Sequence, residues 1–439
     1  MHTTERFLTR LPPPWWLGPS VLFAVVIGST VLAAVWQSDD AFQLYGTPKF
    51  VTGQHLLLAG LVIGAFGIGG RLADVSGRAA AIPAAAHLRL AERAFWVTAV
   101  LTIFGYLIWL AVGVKNGFSL GTLREFLATD SPGLAEGIRA NIFTNLKGIT
   151  TCTQFGVAAV PLGTILLLHG RRRVVWPLAA LLSLAAARAL VFSERLALIE
   201  LALPAAVIYL RLRMIGQPTS RFVQHSLKFA PLIGAVILVM LFGGFEYFRS
   251  WRYYQNKFDS YAEFTVWRIA GYYTTAHNNG AMALTTQRPY PVPYTTLRSL
   301  WSIPGLERTP LGYQQITGID PARRHENMLE RFGTPELNNE GGLFQPALDY
   351  GLAGLLLFWF ACGFVAVRVY HGFLRGSLTG LVMYPLIFLA ILETPRLLYL
   401  TYTRSLPAIA TFVLLAWLAM RHSSRVADQQ AVAAIPVTA

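Results

Sequence analysis

What most constrains this chain is an apolar run, roughly twenty residues long, that recurs from near its first residue to near its last. About 20 such residues are what a helix needs to cross the hydrocarbon core of a bilayer. Ten runs are read, at 17–36, 52–70, 92–114, 150–169, 174–192, 195–213, 229–247, 344–367, 376–393 and 403–420. With 54% hydrophobic and only 13% charged residues, the 439-residue chain is too apolar for a soluble protein and too evenly apolar for a single anchor. The fold expected is an all-α polytopic membrane protein with about ten transmembrane helices. The opening MHTTERFLTRLPPPWW puts basic residues ahead of the first run, as a signal peptide would. That run is long, no convincing Ala-x-Ala cleavage site follows it, and further spans come after, so a retained signal-anchor is expected.

Charge sets the expected orientation. With the N-terminus inside, the cytoplasmic segments hold clusters such as Arg171–Arg173, Arg211, Arg213 and Arg221, while the only acids there are Glu5, Asp74, Glu92 and Asp428. This positive-inside pattern predicts an even number of spans with both termini cytoplasmic. It accounts for most of the net charge of +14, so no nucleic-acid partner is implied. Trp15, Trp16, Trp176 and Trp417 fall near span ends, where an aromatic belt is expected. Gly60 and Gly64 have the spacing of a close helix-packing motif. Cys152 and Cys362 lie within apolar spans and read neither as a disulfide framework nor as a metal site.

Two long segments then fall outside, 115–149 and 248–343, the second between spans seven and eight. Structureless connections of that length are uncommon, so 248–343 is expected to be a folded external subdomain. Tyr247, Trp251, Tyr254, Phe258 and Tyr261 recur at helical steps, which predicts an amphipathic helix continuing span seven. Its rings form either a packing face or a surface on which sugars stack. PYPVPY at 289–294 is expected to be extended. Residues 422–439 read as a disordered cytoplasmic tail.

Charges inside the spans need explaining, because each costs roughly 2.5–3.5 kcal/mol at a span centre. In RALVFSERLALIE (188–200), Ser193 is a natural helix cap and Glu194 suits the positive end of the helix dipole. Arg188, Arg195 and Glu200 are left over. ILETPRLLYLTYTR adds Glu393, Arg396 and Arg404 at the same expected depth. Two readings stay open: ion pairing inside the membrane, Arg195 to Glu393 for example, or an anion site in which planar guanidinium groups receive phosphate or pyrophosphate. The 248–343 segment adds Arg268, Arg331, His277 and His325, the histidines as candidate bases. No Walker loop, Gly-x-Ser-x-Gly or His-Glu-x-x-His is present. Asp39-Asp40 could bind a metal or act as a base, or be a solvated loop.

YGTPKFVTGQHLLLAGLVIGAFGIGG, LKGITTCTQFG, SERLALIE, GYYTTAHNNG, PYPVPYTTLRSLWSIPGL and LNNEGGLFQPALDYGLAGLL follow one another in this order. On these segments the chain resembles the oligosaccharide repeat-unit polymerases, the O-antigen polymerase-like proteins of bacterial envelopes. The resemblance implies a multi-pass enzyme of the bacterial cytoplasmic (inner) membrane that transfers a growing glycan from undecaprenyl pyrophosphate to an incoming lipid-linked repeat unit at the outer face. It implies no cofactor, metal or nucleotide, and as partners the lipid-linked oligosaccharide, the bilayer, a chain-length regulator and a flippase. Arg195 is the position that carries the family arginine, and Arg331 followed by ten residues and then Gly342 fits a spacing known in some members. Arg195 and Arg396, aided by Arg188 or Arg404, are expected to neutralise the pyrophosphate. His277, Glu340 or His325 is expected to take the acceptor proton, Arg268 and Arg331 to bind substrate, and Trp251, Trp267 and Tyr272 to line the glycan path. An O-antigen ligase-like enzyme, a glycosyltransferase using a polyprenyl-phosphate sugar and Asp39-Asp40, and a lipid-glycan transporter remain the alternatives.

Overall fold

Helices stand at every position where an apolar run was read. The computed structural model describes residues 9–75, 84–119, 121, 141–143, 146, 148–192 and 196–433. The main helices are α1 (Pro19–Trp36), α2 (Gly53–Val75), α3 (Leu88–Lys115), α4 (Gly156–Leu168), α5 (Val175–Phe192), α6 (Leu196–Tyr209), α7 (Ala230–Glu246), α8 (Tyr261–Thr286), α9 (Pro321–Phe332), α10 (Gln345–Leu374), α11 (Leu378–Glu393) and α12 (Leu406–Ala433). Among the described residues, seven helices are long and apolar enough to cross a membrane, and eight if the bent pair Phe222–Lys228 and Ala230–Glu246 is one span. The chain is thus an all-helical, multi-pass membrane protein. The 16-residue α11 and the 14-residue α6 are shorter.

Two groups of helices meet on α11. One contains α1, α2 and α10, the other α3 to α6 and α12, and α11 touches members of both. The closest crossing is α2 on α10, and glycine makes it possible. A Cβ on Gly69 would lie 2.0 Å from the Phe360 carbonyl oxygen, and one on Gly363 would lie 2.0 Å from that of Phe66. The motif expected to pack, Gly60 and Gly64, instead has nothing within 4 Å of either position. Small residues permit close approach only where a second helix is present to approach. By contrast α7 stands at the periphery, with Leu232, Ile233 and Met240 more than half exposed.

Segments far apart in sequence are tied together at each end of the bundle. At one end Thr9–Arg10 pairs antiparallel with Pro218–Thr219, Arg211 Nε donates to the Phe373 carbonyl at 2.9 Å, and His371 meets Asp74 at 2.6 Å. At the other end lie the end of α5 and the start of α6, the α11–α12 connection and the 248–343 segment.

That segment is folded, and its helices differ from those read in sequence. The chain leaving α7 stays helical only to Tyr254, and α8 starts at Tyr261, so the aromatic recurrence spans a break. Across that break the rings face one another: Trp251 packs on Tyr261 and Phe264, and Tyr254 stacks on Phe264 with centroids 5.4 Å apart. α8 itself, 26 residues long, was missed in sequence and packs against α1. Its paired asparagines fasten the segment down. Asn278 Oδ1 accepts the Phe50 and Val51 amides at 2.6 and 3.0 Å, and Asn279 Nδ2 donates to the Leu337 and Asn339 carbonyls at 2.8 and 2.9 Å. Asp349 accepts the Tyr294, Thr295 and Thr296 amides, clamping the proline-rich stretch to the start of α10. At the C-terminal side α12 continues to Ala433, where a disordered tail was expected from 422. Most of 115–149 lies outside the described residues.

Candidate functional site in the membrane-embedded arginine cluster

The connection from α11 to α12 is short and buried. Thr394 Oγ1 turns back onto the Ala390 carbonyl at 2.8 Å, and two single 3-10 turns, Tyr399–Thr401 and Thr403–Ser405, carry the chain into α12. Ser405, fully buried, donates its hydroxyl to the Leu400 and Tyr402 carbonyls. This stretch delivers Arg396, Tyr399, Tyr402 and Arg404 to one end of the bundle.

There it meets the α5–α6 hairpin. Arg404 Nη1 lies 3.1 Å from Glu200 Oε1 of α6, across 204 residues of sequence. Arg396 Nη1 lies 2.9 Å from Glu393 Oε2, and its guanidinium rests over the Tyr272 ring at 5.6 Å. Arg188 Nη1 donates to Thr153 Oγ1 at 2.9 Å. Arg188, Glu200 and Arg404 border one cavity of about 40 Å³, completed by Thr102, Tyr106 and Thr153. That volume suits a water molecule or two. A diphosphate requires the Arg404–Glu200 contact to open. The ion pair proposed from sequence was Arg195 to Glu393; among the described residues Glu393 pairs with Arg396, three positions away. Ser193, Glu194 and Arg195 lie outside the described residues.

A third carboxylate, Glu340, abuts this cluster. The LNNEGG turn is hydrogen-bonded onto the α11–α12 connection, Gly341 N to the Arg396 carbonyl at 3.0 Å. Both glycines are required there: Gly341 has φ +69° and its Cβ would meet the Ala276 carbonyl oxygen at 2.3 Å, while a Cβ on Gly342 would lie 2.5 Å from the Leu397 backbone. Gly342 is therefore set by this contact rather than by its distance in sequence from Arg331. The turn holds Glu340 against Arg298, whose Nη2 lies 2.7 Å from both carboxylate oxygens. Arg298 also lies over the Tyr402 ring at 4.5 Å and the Tyr294 ring at 5.4 Å. Burial pushes the Glu340 pKa up, but Arg298 outweighs it and holds the group below the usual carboxylate value. Glu340 is ionised at neutral pH.

The other residues expected at the site fall elsewhere. His277 is fully buried in α8, its Nε2 3.0 Å from Thr30 Oγ1, which itself donates to the Val26 carbonyl. Burial lowers its pKa to about 3, so it is a neutral packing residue with no route to an acceptor. His325 points Nε2 at the Asn338 carbonyl, 3.2 Å away. Arg268, 1% exposed, lies between Glu246 at 3.2 Å and Glu336 at 2.7 Å, and cannot reach substrate. Trp251, Trp267 and Tyr272 pack inward: Trp267 stacks on Tyr45 and Tyr272 meets Phe242 edge-on, so none lines an open path. Asp39 and Asp40 are exposed in the first turn of a short helix capped by Ser38. Among the described residues no group of three or more His, Cys, Asp or Glu could hold a metal. Arg331 lies on α9, away from the cluster. Arg298, Tyr399 and Tyr402 were not singled out in sequence, although the paired tyrosines of YLTYTR beside two arginines were the available signal.

No family model, curated protein or solved structure matches this chain. What the fold and the cluster define is a multi-pass helical membrane protein with arginine–carboxylate pairs buried at one end of its bundle.

Proposed function

We propose that this protein polymerises lipid-linked oligosaccharide repeat units at the outer face of the bacterial cytoplasmic membrane. The observation that carries this reading is that Arg188 of α5 and Arg404 and Arg396 of the α11–α12 connection, partly buried and far apart in sequence, are brought to one end of the bundle, with Arg404 on Glu200 of α6. An ion pair kept inside lipid adds little net stability over an apolar pair. Arg188 and Arg404 border one cavity, and Arg396 is carried by the same α11–α12 connection as Arg404; guanidinium groups gathered at one end of the bundle suit a doubly phosphorylated anion. The meeting of Thr9–Arg10, Arg211, Asp74 and His371 at the opposite end favours ten spans with both termini in the cytoplasm. Positive-inside charge puts that end inside.

In the reaction, the bond between the glycan's anomeric carbon and the pyrophosphate oxygen breaks as an acceptor hydroxyl oxygen bonds to that carbon. Arg404 and Arg396 exchange Glu200 and Glu393 for the departing undecaprenyl pyrophosphate, and Arg188 and Arg195 supply further charge. Glu340, held in its ionised form, receives the hydroxyl proton. The leaving group supplies the driving force, so no nucleotide is consumed.

Purified protein incubated with a lipid-linked repeat unit and no nucleotide should give a ladder of products. Substrate that stays unchanged but reaches the opposite leaflet of a vesicle would instead make the protein a transporter. Arg396→Ala, Arg404→Ala and Arg195→Ala should each slow ladder formation by roughly 10²–10³-fold at unchanged protein level, the scale of losing one transition-state donor. Normal ladders from all three variants would sink the proposal.

A further inference from the structure

The 248–343 segment carries a second cationic feature, distinct from the membrane cluster. Asp320 caps α9, its Oδ1 accepting the Ala322 and Arg323 amides at 3.0 and 3.2 Å. Steps of four then put Arg323, Asn327 and Arg331 on one exposed face of the helix. Together with Arg288 and Arg324 they border an open groove of about 750 Å³. Arg324 is fixed by donating to the Arg288 carbonyl and lying 4.5 Å over the Tyr290 ring. Arg288, Arg323 and Arg331 are exposed and make no ion pair among the described residues. One carboxylate, Asp320, lines the groove with them, its Oδ1 turned onto the first amides of α9, so four arginines face a single acid; Glu326 and Glu330 lie outside the groove lining.

Four guanidinium groups spread along one groove repel one another until an anion lies among them, and their planar forks match carboxylates. The same groove offers the amides of Asn327 and Gln314 and the exposed ring of Phe332, suited to sugar hydroxyls and a sugar face. A line of rings and cations leads from it toward the cluster. Tyr290 lies 5.4 Å from Tyr294, and Arg298 lies over Tyr294 and then over Tyr402, two residues from Arg404. We infer that this groove binds an acidic oligosaccharide, a run of sugars bearing carboxylates. Its placement along the path of the growing glycan rests on the polymerase reading; the binding itself does not.

The full-length protein in nanodiscs of zwitterionic lipid is titrated with labelled oligogalacturonate, and with the same oligosaccharide after its carboxyls are reduced to alcohols. The expected result is binding of the acidic probe that weakens roughly tenfold or more in Arg323→Gln/Arg331→Gln, weakens also in Arg288→Gln, and is lost on carboxyl reduction. No binding of the acidic probe, equal binding of the reduced probe, or an affinity that these exposed substitutions leave unchanged overturns the inference. Arg396→Ala separates the two proposals, because it should slow the product ladder by roughly 10²–10³-fold and keep probe binding. Ladders from a protein that ignores the probe would refute the groove alone; probe binding without ladders would refute the polymerase reading alone.

Discussion

Arg268 lies between two carboxylates, and removing it would take from Glu246, which has no exposed surface, the guanidinium 3.2 Å away. Leaving one member of a buried pair uncompensated costs roughly 3–5 kcal/mol. Arg268→Met should therefore lower the melting temperature sharply, and Arg268→Met/Glu246→Met should recover most of the loss. A substrate-binding arginine would not be rescued by its neighbour. His277 makes the pH prediction. Its pKa is depressed from 6.5 to about 3 by burial, so below pH 6.5 the unfolded chain takes up a proton that the folded chain refuses. Its contribution is fully present above pH 6.5 and is lost as pH falls toward 3, by at most ~1.4 kcal/mol per pH unit. Glu340, depressed from 4.5, acts only below that value. Thermal melts of His277→Gln should be flatter than those of the native protein between pH 6.5 and 5, with the product ladder of the proposed polymerisation retained. Loss of polymerisation at unchanged stability would return His277 to the catalytic group. The sequence marked His277 and Arg268 as chemically able residues; it could not show that both are enclosed, because enclosure depends on which helices lie against α8.

Helix crossings carry their own prediction. Gly69→Ala and Gly363→Ala force a methyl group into the backbone of the opposing helix and should destabilise by about 1–3 kcal/mol. Gly60→Ala and Gly64→Ala meet open space and should leave the melting temperature unchanged. Equal effects from the two pairs would mean that α2 meets α10 elsewhere. The membrane helices were legible because a bilayer-length apolar run is a local property of the chain. Partners across helices were not, since Arg404 and Glu200 are separated by 204 residues and nothing in either segment names the other. The aromatic recurrence at 247–261 misled for a related reason: the same spacing serves a helix and a chain that turns back to stack on its own rings.

For the whole molecule, the segments quoted from the sequence turn out to be the places where it is tied together. TPKF, AHNN and LNNEGG hold one another through the amide side chains of Asn278 and Asn279, and LDY holds the PYTT stretch through the Asp349 carboxylate. Their order along the chain carried the resemblance, while their hydrogen bonds were visible only once folded. Exchange of parts with another protein follows a rule from this. A chimaera that transplants residues 248–343 alone would bring Asn278 and Gly341 without the backbone groups that they bind at 50–51 and 396, and should fail to accumulate in the membrane. Moving residues 47–51 and 393–405 with them should restore its level. The unit that can be handed from one such protein to another is thus a set of three separate stretches, although only one of them looks like a domain.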